Sequence, residues 1–71
     1  MSYDYSKLRG RIKEKCKTQD CFAVKIGISR SSLSQRLNCK LEFSQVEINK
    51  SIEALDLTAA DIPVYFFTMK V

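Results

Sequence analysis

The 71-residue chain contains no histidine and no tryptophan, and it has one proline and two glycines. Without histidine it lacks the side chain that most often moves protons near neutral pH and most often binds metal as a nitrogen ligand. The three cysteines, Cys16, Cys21 and Cys39, match no zinc spacing and have no histidine to complete a ligand set. No metal and no cofactor are expected. There is no defensible nucleophile–base pairing and no Gly-rich phosphate loop, so no enzymatic activity is expected either. Asp4, Glu14 and Asp20 read instead as helix caps or solvated surface. No apolar run approaches the ~20 residues of a membrane span. The opening MSYDYSKLRG lacks the apolar stretch of a signal peptide. The expectation is a cytoplasmic protein with reduced thiols and no membrane partner.

The length suits one domain over residues 1–71. With 45% apolar residues it can build one compact core but no deep substrate cleft. Twelve Lys and Arg against eight Asp and Glu give a formal charge of +4. That excess fits a polyanionic partner without demonstrating one. No repeat or low-complexity tract breaks the chain.

Apolar spacing is helical nearly throughout, which predicts an all-α bundle of five short helices. Asp4 can cap a first helix over Tyr5 to Lys15, with Tyr5, Leu8, Ile12 and Cys16 on one face. Gly10 inside it reads as either a close helix approach or plain tolerance. Thr18 is the next cap. Phe22, Ala23 and Ile26 face inward, and Gly27 supplies a left-handed stop. Ser29 caps a third helix with Leu33 and Leu37 inside. Ser44 with Glu47 makes a capping box and Phe43 with Ile48 a hydrophobic staple, opening a fourth helix to about Leu55 that buries Ile48, Ile52 and Leu55. Thr58 with Asp61, and Leu57 with Ile62, repeat the device. Pro63 then predicts a short fifth helix, kinked or restarted there. The tail from Val64 to Val71 reads as a helical turn, a strand, or both in sequence.

The third helix carries the functional signal. At about 100° per residue, Ser31 and Gln35 lie opposite the Leu33–Leu37 stripe, with Ser32, Ser34 and Asn38 beside them and Arg36 next to the stripe. Arg30, in the first turn, can swing outward. Two capped helices joined by a tight turn at Gly27 form a helix-turn-helix, whose second helix reads the major groove through its N-terminal residues. Arg suits guanine, Gln suits adenine, and short hydroxyls allow close approach to base edges. Arg30, Ser31, Ser34 and Gln35 are therefore the candidate base contacts. Gln19, at a helix N-terminus, and Asn38 and Lys40, past the third helix, are candidate phosphate contacts. A solvent-facing helix is also polar by necessity, so polarity alone does not establish the reading.

The pattern TQ-x-x-x-A-x-x-x-GIS-x-x-x-L-S-x-x-LN resembles the lambda-repressor-like helix-turn-helix proteins, which include phage repressors and Cro proteins. YDYSKLRGRIKEK before it and EFSQVEINKSIEALDL after it look like small phage-type Cro or repressor proteins of Gram-positive bacteria. The resemblance implies a sequence-specific regulator that binds a palindromic double-stranded operator as a homodimer and represses by excluding polymerase. Two positions depart from the family pattern. Cys39 stands where the family usually has Gly, so Asn38 or Cys39 must reverse the chain at some steric cost. Cys21 stands where an acid is common.

Tyr65, Phe66 and Phe67 are three consecutive aromatics that cannot all point one way. A leftover aromatic face would serve as a dimer contact; the bland reading is a tail sealing its own core. The alternative function is a protein-interaction module of the same fold that binds another regulator through this tail. Cys21, in a first helical turn, raises the question of redox sensing. Nothing in the sequence indicates a partner thiol, so the cysteines read as small buried hydrophobes or incidental.

Overall fold

A computed structural model of the protein describes residues 3–69. Among them are five α-helices: α1 Ser6–Cys16, α2 Gln19–Ile26, α3 Arg30–Leu37, α4 Gln45–Ala54 and α5 Ile62–Phe66. A 3-10 turn, Ala59–Asp61, precedes α5. The all-α expectation is met.

The helix opens at Ser6, one residue later than expected, so Tyr5 and not Asp4 holds the cap position; Asp4, one residue further out, still accepts from the Ser6 backbone N–H at 2.9 Å. Tyr5, Leu8, Ile12 and Cys16 are buried as one stripe. Gly10 has open space where a Cβ would sit, so tolerance, not close packing, accounts for it. Thr18 Oγ1 accepts from Cys21 N and caps α2. Gly27, at φ 78°, ends it by turning into the left-handed region. Ser29 Oγ accepts from Ser32 N at 3.1 Å and opens α3. Leu33 and Leu37 fill its inner face. The reversal after α3 falls on Cys39, at φ 62°. A non-glycine residue bears that strain, as the missing glycine requires.

The capping box of Ser44 and Glu47 is formed in both directions. The burial along α4 differs from expectation. Leu55 is buried, but Ile48 and Ile52 are only partly so, and the fully buried helical residue is Ser51. Ser51 satisfies its hydroxyl by donating to the Glu47 carbonyl at 2.7 Å. A small residue on the buried line lets α4 lie close to α2, against which it packs. Pro63 falls in the first turn of α5, where its missing N–H costs nothing, so the helix restarts rather than kinks. Asp61 Oδ2 accepts from both the backbone and the hydroxyl of Thr58, completing the second expected cap. Of the alternatives for the tail the helical turn forms, as α5; no strand is present among the described residues, only a single antiparallel bridge from Met69 to Tyr3. Asp4 N donates to Thr68 O at 2.7 Å beside it.

Two arginines of α1 close the bundle. Arg9 donates to the Leu37 carbonyl and to Asn38 Oδ1 at the end of α3. Arg11 donates to the Leu55 and Asp56 carbonyls at the end of α4. Each cation sits where unpaired carbonyls concentrate negative charge.

Candidate functional site

The outer face of α3 presents Arg30, Ser31 and Gln35 to solvent, while Ser34 is half-buried. These residues are on hand for a partner, but two are already engaged. Arg30 Nε lies 3.1 Å from Asp20 Oδ1 in the first turn of α2, with the two side chains 49% and 76% exposed. Ser34 Oγ accepts from Asn38 Nδ2 at 3.3 Å. Asn38 is in turn held by Arg9. Lys40 is exposed, and its N–H donates to the Gln35 carbonyl at 2.8 Å, fixing the chain after α3. Gln19 is half-buried in a cleft of about 250 Å³ with Arg9, Lys13, Lys17 and Thr18. The structure therefore gathers Gln19 with three cations of the α1 side, which sequence reasoning had not linked to it.

On its inner side α3 is fastened by an ion pair absent from the expected contacts. Arg36 Nε donates to Glu47 Oε1 at 2.7 Å and Nη2 to Oε2 at 3.2 Å. A third guanidinium hydrogen bond goes to the Ser32 carbonyl. The side chains are 15% and 13% exposed. Burial alone would push the Glu47 carboxyl up. Hydrogen bonds from Arg36 and Ser44 and the Arg36 charge outweigh it, and the group sits below its usual range. The sequence signal was available in part, since Arg36 was placed beside the buried stripe and Glu47 in a capping box.

The three tail aromatics separate. Phe66 is 1% exposed and belongs to the core, so its side chain seals the monomer rather than facing outward. Tyr65 is half-buried. Phe67 is 49% exposed. It meets Tyr3 edge-on, with ring centroids 5.8 Å apart. From Tyr3 a line of rings runs inward through Tyr5 and Phe43 to Phe66, at centroid spacings of 6.1, 5.6 and 5.2 Å. Burial raises the Tyr5 hydroxyl to about 12, with Cys39, Tyr3 and Glu42 adding to the shift. Val64, one turn before Phe67, and Met69, paired with Tyr3, are also exposed. These four residues, Tyr3, Val64, Phe67 and Met69, form an apolar strip where the two ends of the described residues meet.

A family model described as "Protein of unknown function (DUF739)" matches residues 1–69. The chain belongs to this family. No curated protein matches the DUF739 chain. Among solved structures it is similar to the solution structure of the modulator of repression (MOR) of the temperate bacteriophage TP901-1 from Lactococcus lactis. The identity is 49%, the match covers 100% of this chain and 96% of that one, and the TM-score is 0.82. The kinship to small phage regulators expected from sequence is met at that level, through a modulator of repression rather than through a repressor or Cro protein.

Among the described residues no group of His, Cys, Asp and Glu could hold a metal ion. No described helix is long and apolar enough to cross a membrane.

Proposed function

We propose that this DUF739 chain modulates phage repression by binding another regulatory protein. The observation that carries the reading is its 49% identity, over the whole chain, to a phage modulator of repression. The surface suits such a role. The half-exposed Phe67 and its neighbours Tyr3, Val64 and Met69 offer an apolar strip rigidly backed by the ring line into the core. A rigid aromatic with an exposed face is a common anchor in protein interfaces. The partner would be a repressor from the same phage genome.

The test is a titration of the purified chain with that repressor by calorimetry. Phe67→Ala is expected to weaken the complex at least about tenfold while the helical signal is unchanged, as befits loss of an anchoring aromatic. Equal affinity of wild type and Phe67→Ala would remove the strip from the interface, and absence of any complex would sink the reading itself.

Direct operator reading is the second proposal. It is supported by α3, whose Ser29 cap aims Arg30, Ser31 and Gln35 outward after a tight turn, the layout of a reading helix. Against it stands the exposed carboxylate of Asp20 beside Arg30, which keeps a negative charge at the surface where phosphates would approach. Enrichment of a palindromic sequence from a random DNA pool at low salt would put this reading first.

A further inference from the structure

Half of the chain's twelve Lys and Arg fall in one stretch, as Lys7, Arg9, Arg11, Lys13, Lys15 and Lys17, with Glu14 the one acid among them. Glu14 is taken by Arg11, at 2.9 Å from its Nη1. Among the described residues the other cations of the stretch make no ion pair. Helix stability does not account for so many. Lys7 and Arg9 stand in the first half of α1, where the helix dipole disfavours cations. Lys7 with Arg11, Arg9 with Lys13, and Arg11 with Lys15 are like charges four residues apart, which repel along the helix surface. The cations are also joined to the apolar strip. Arg9, Lys13 and Lys17 line the cleft of about 250 Å³ beside Thr18 and Gln19. Arg9 lines a second cavity as well, of about 340 Å³, which it shares with Tyr3. Tyr3 in turn meets Phe67 edge-on. One continuous surface therefore runs from exposed aromatics to unpaired cations.

We propose, resting on the protein-binding function proposed for the chain, that this surface docks an acidic segment of the partner protein. An apolar side chain of that segment packs on Tyr3 and Phe67, and its carboxylates meet Arg9, Lys13 and Lys17. At the helical rise of 1.5 Å per residue these cations span about 12 Å along α1, which sets the reach of the matching acids. Potentials of opposite sign steer the two proteins together and fix their register, while the aromatic end supplies the anchor. A nucleic-acid backbone suits the surface less well. Its phosphates offer nothing apolar to Phe67, and the carboxylates of Asp4, in the cavity, and of the exposed Asp20, next to Gln19, oppose them.

The experiment titrates the full chain with the repressor of the same phage genome by calorimetry, at low and at high salt. Reversing two charges together, Lys13→Glu with Lys17→Glu, is expected to weaken the complex at least about tenfold at low salt, and by less at high salt where charges are screened. Lys13→Gln with Lys17→Gln shifts the affinity the same way by a smaller factor, and it serves if the reversed variant loses its helical signal. Lys50→Glu, an exposed cation on α4, leaves the affinity unchanged. A complex that forms equally well with the doubly reversed and the wild-type chain would overturn the proposal and leave the modulator reading standing. A loss as large with Lys50→Glu would reduce the effect to overall charge and overturn it too. Retention of a random-sequence DNA duplex by the chain alone, abolished by the double reversal, would give the surface to a phosphate backbone instead. No complex with the wild type at either salt would end both the proposal and the reading beneath it.

Discussion

Two arginines of α3, six residues apart, make ion pairs of the same chemistry with opposite consequences. Arg36 reaches inward to Glu47 through two hydrogen bonds, in a place only 15% and 13% exposed. Arg30 reaches outward to Asp20 through one contact between side chains 49% and 76% exposed. At the inner pair a carboxylate cannot regain water if its partner is lost. At the outer pair both charges stay solvated whether or not they touch. One pair is a joint between α3 and α4. The other is a contact that an incoming partner can displace at little cost, leaving Arg30 and Asp20 both available to it.

The strongest way to break this contrast is Arg36→Ala. It strands Glu47 in a poorly solvated place and removes three hydrogen bonds, so a loss of about 2–4 kcal/mol in unfolding free energy is expected from urea denaturation. A loss similar to that of Arg30→Ala would show that water reaches the inner pair freely.

A smaller effect comes from pH. The folded carboxyl of Glu47 lies below its ordinary value of 4.5. The unfolded chain therefore takes up the proton first as pH falls, so this contribution to stability is present above about 4.5 and fades as pH drops through the folded value. Denaturation series should show the advantage of wild type over Glu47→Gln shrinking below that pH. A difference that stayed constant down to the acid limit would contradict the assignment.

The smallest stability change belongs to the outer pair. Arg30→Ala should cost no more than about 0.2–1 kcal/mol in the same denaturation experiment. Its effect on DNA retention or on a protein complex then separates the two functional readings without a folding artefact. If Arg30→Ala proved as damaging as Arg36→Ala, the contrast would collapse.

The parts of the fold legible in sequence were those written in local chemistry. Thr18, Ser29 and Ser44 act through hydrogen bonds to residues three positions away, so short windows contain the whole signal. The strained reversal at Cys39 followed from a glycine missing at one position. What stayed hidden depends on elements meeting across long stretches of chain. Arg9 with Leu37, Arg11 with Leu55, and Arg36 with Glu47 are set by helix packing, which no periodicity specifies. Ser51 was missed because an apolar stripe was sought and the close approach of α4 to α2 selects for small size instead. In the tail, the argument that three consecutive aromatics must diverge was sound, but only the fold decides that Phe66 goes in and Phe67 stays half out. For the same reason the surface most suited to a protein partner could not be drawn beforehand, since it joins Tyr3 to residues more than sixty positions away.

That bridge between Tyr3 and Met69 also bears on how the molecule can be handled. Because Tyr3 and Met69 run side by side, a dye or a surface tether attached at either of these residues sits in the same neighbourhood, next to Phe67. Moving a label from one of them to the other does not move it away from that strip. A probe meant to leave the strip open belongs on an exposed side chain elsewhere, such as Lys25 on the second helix.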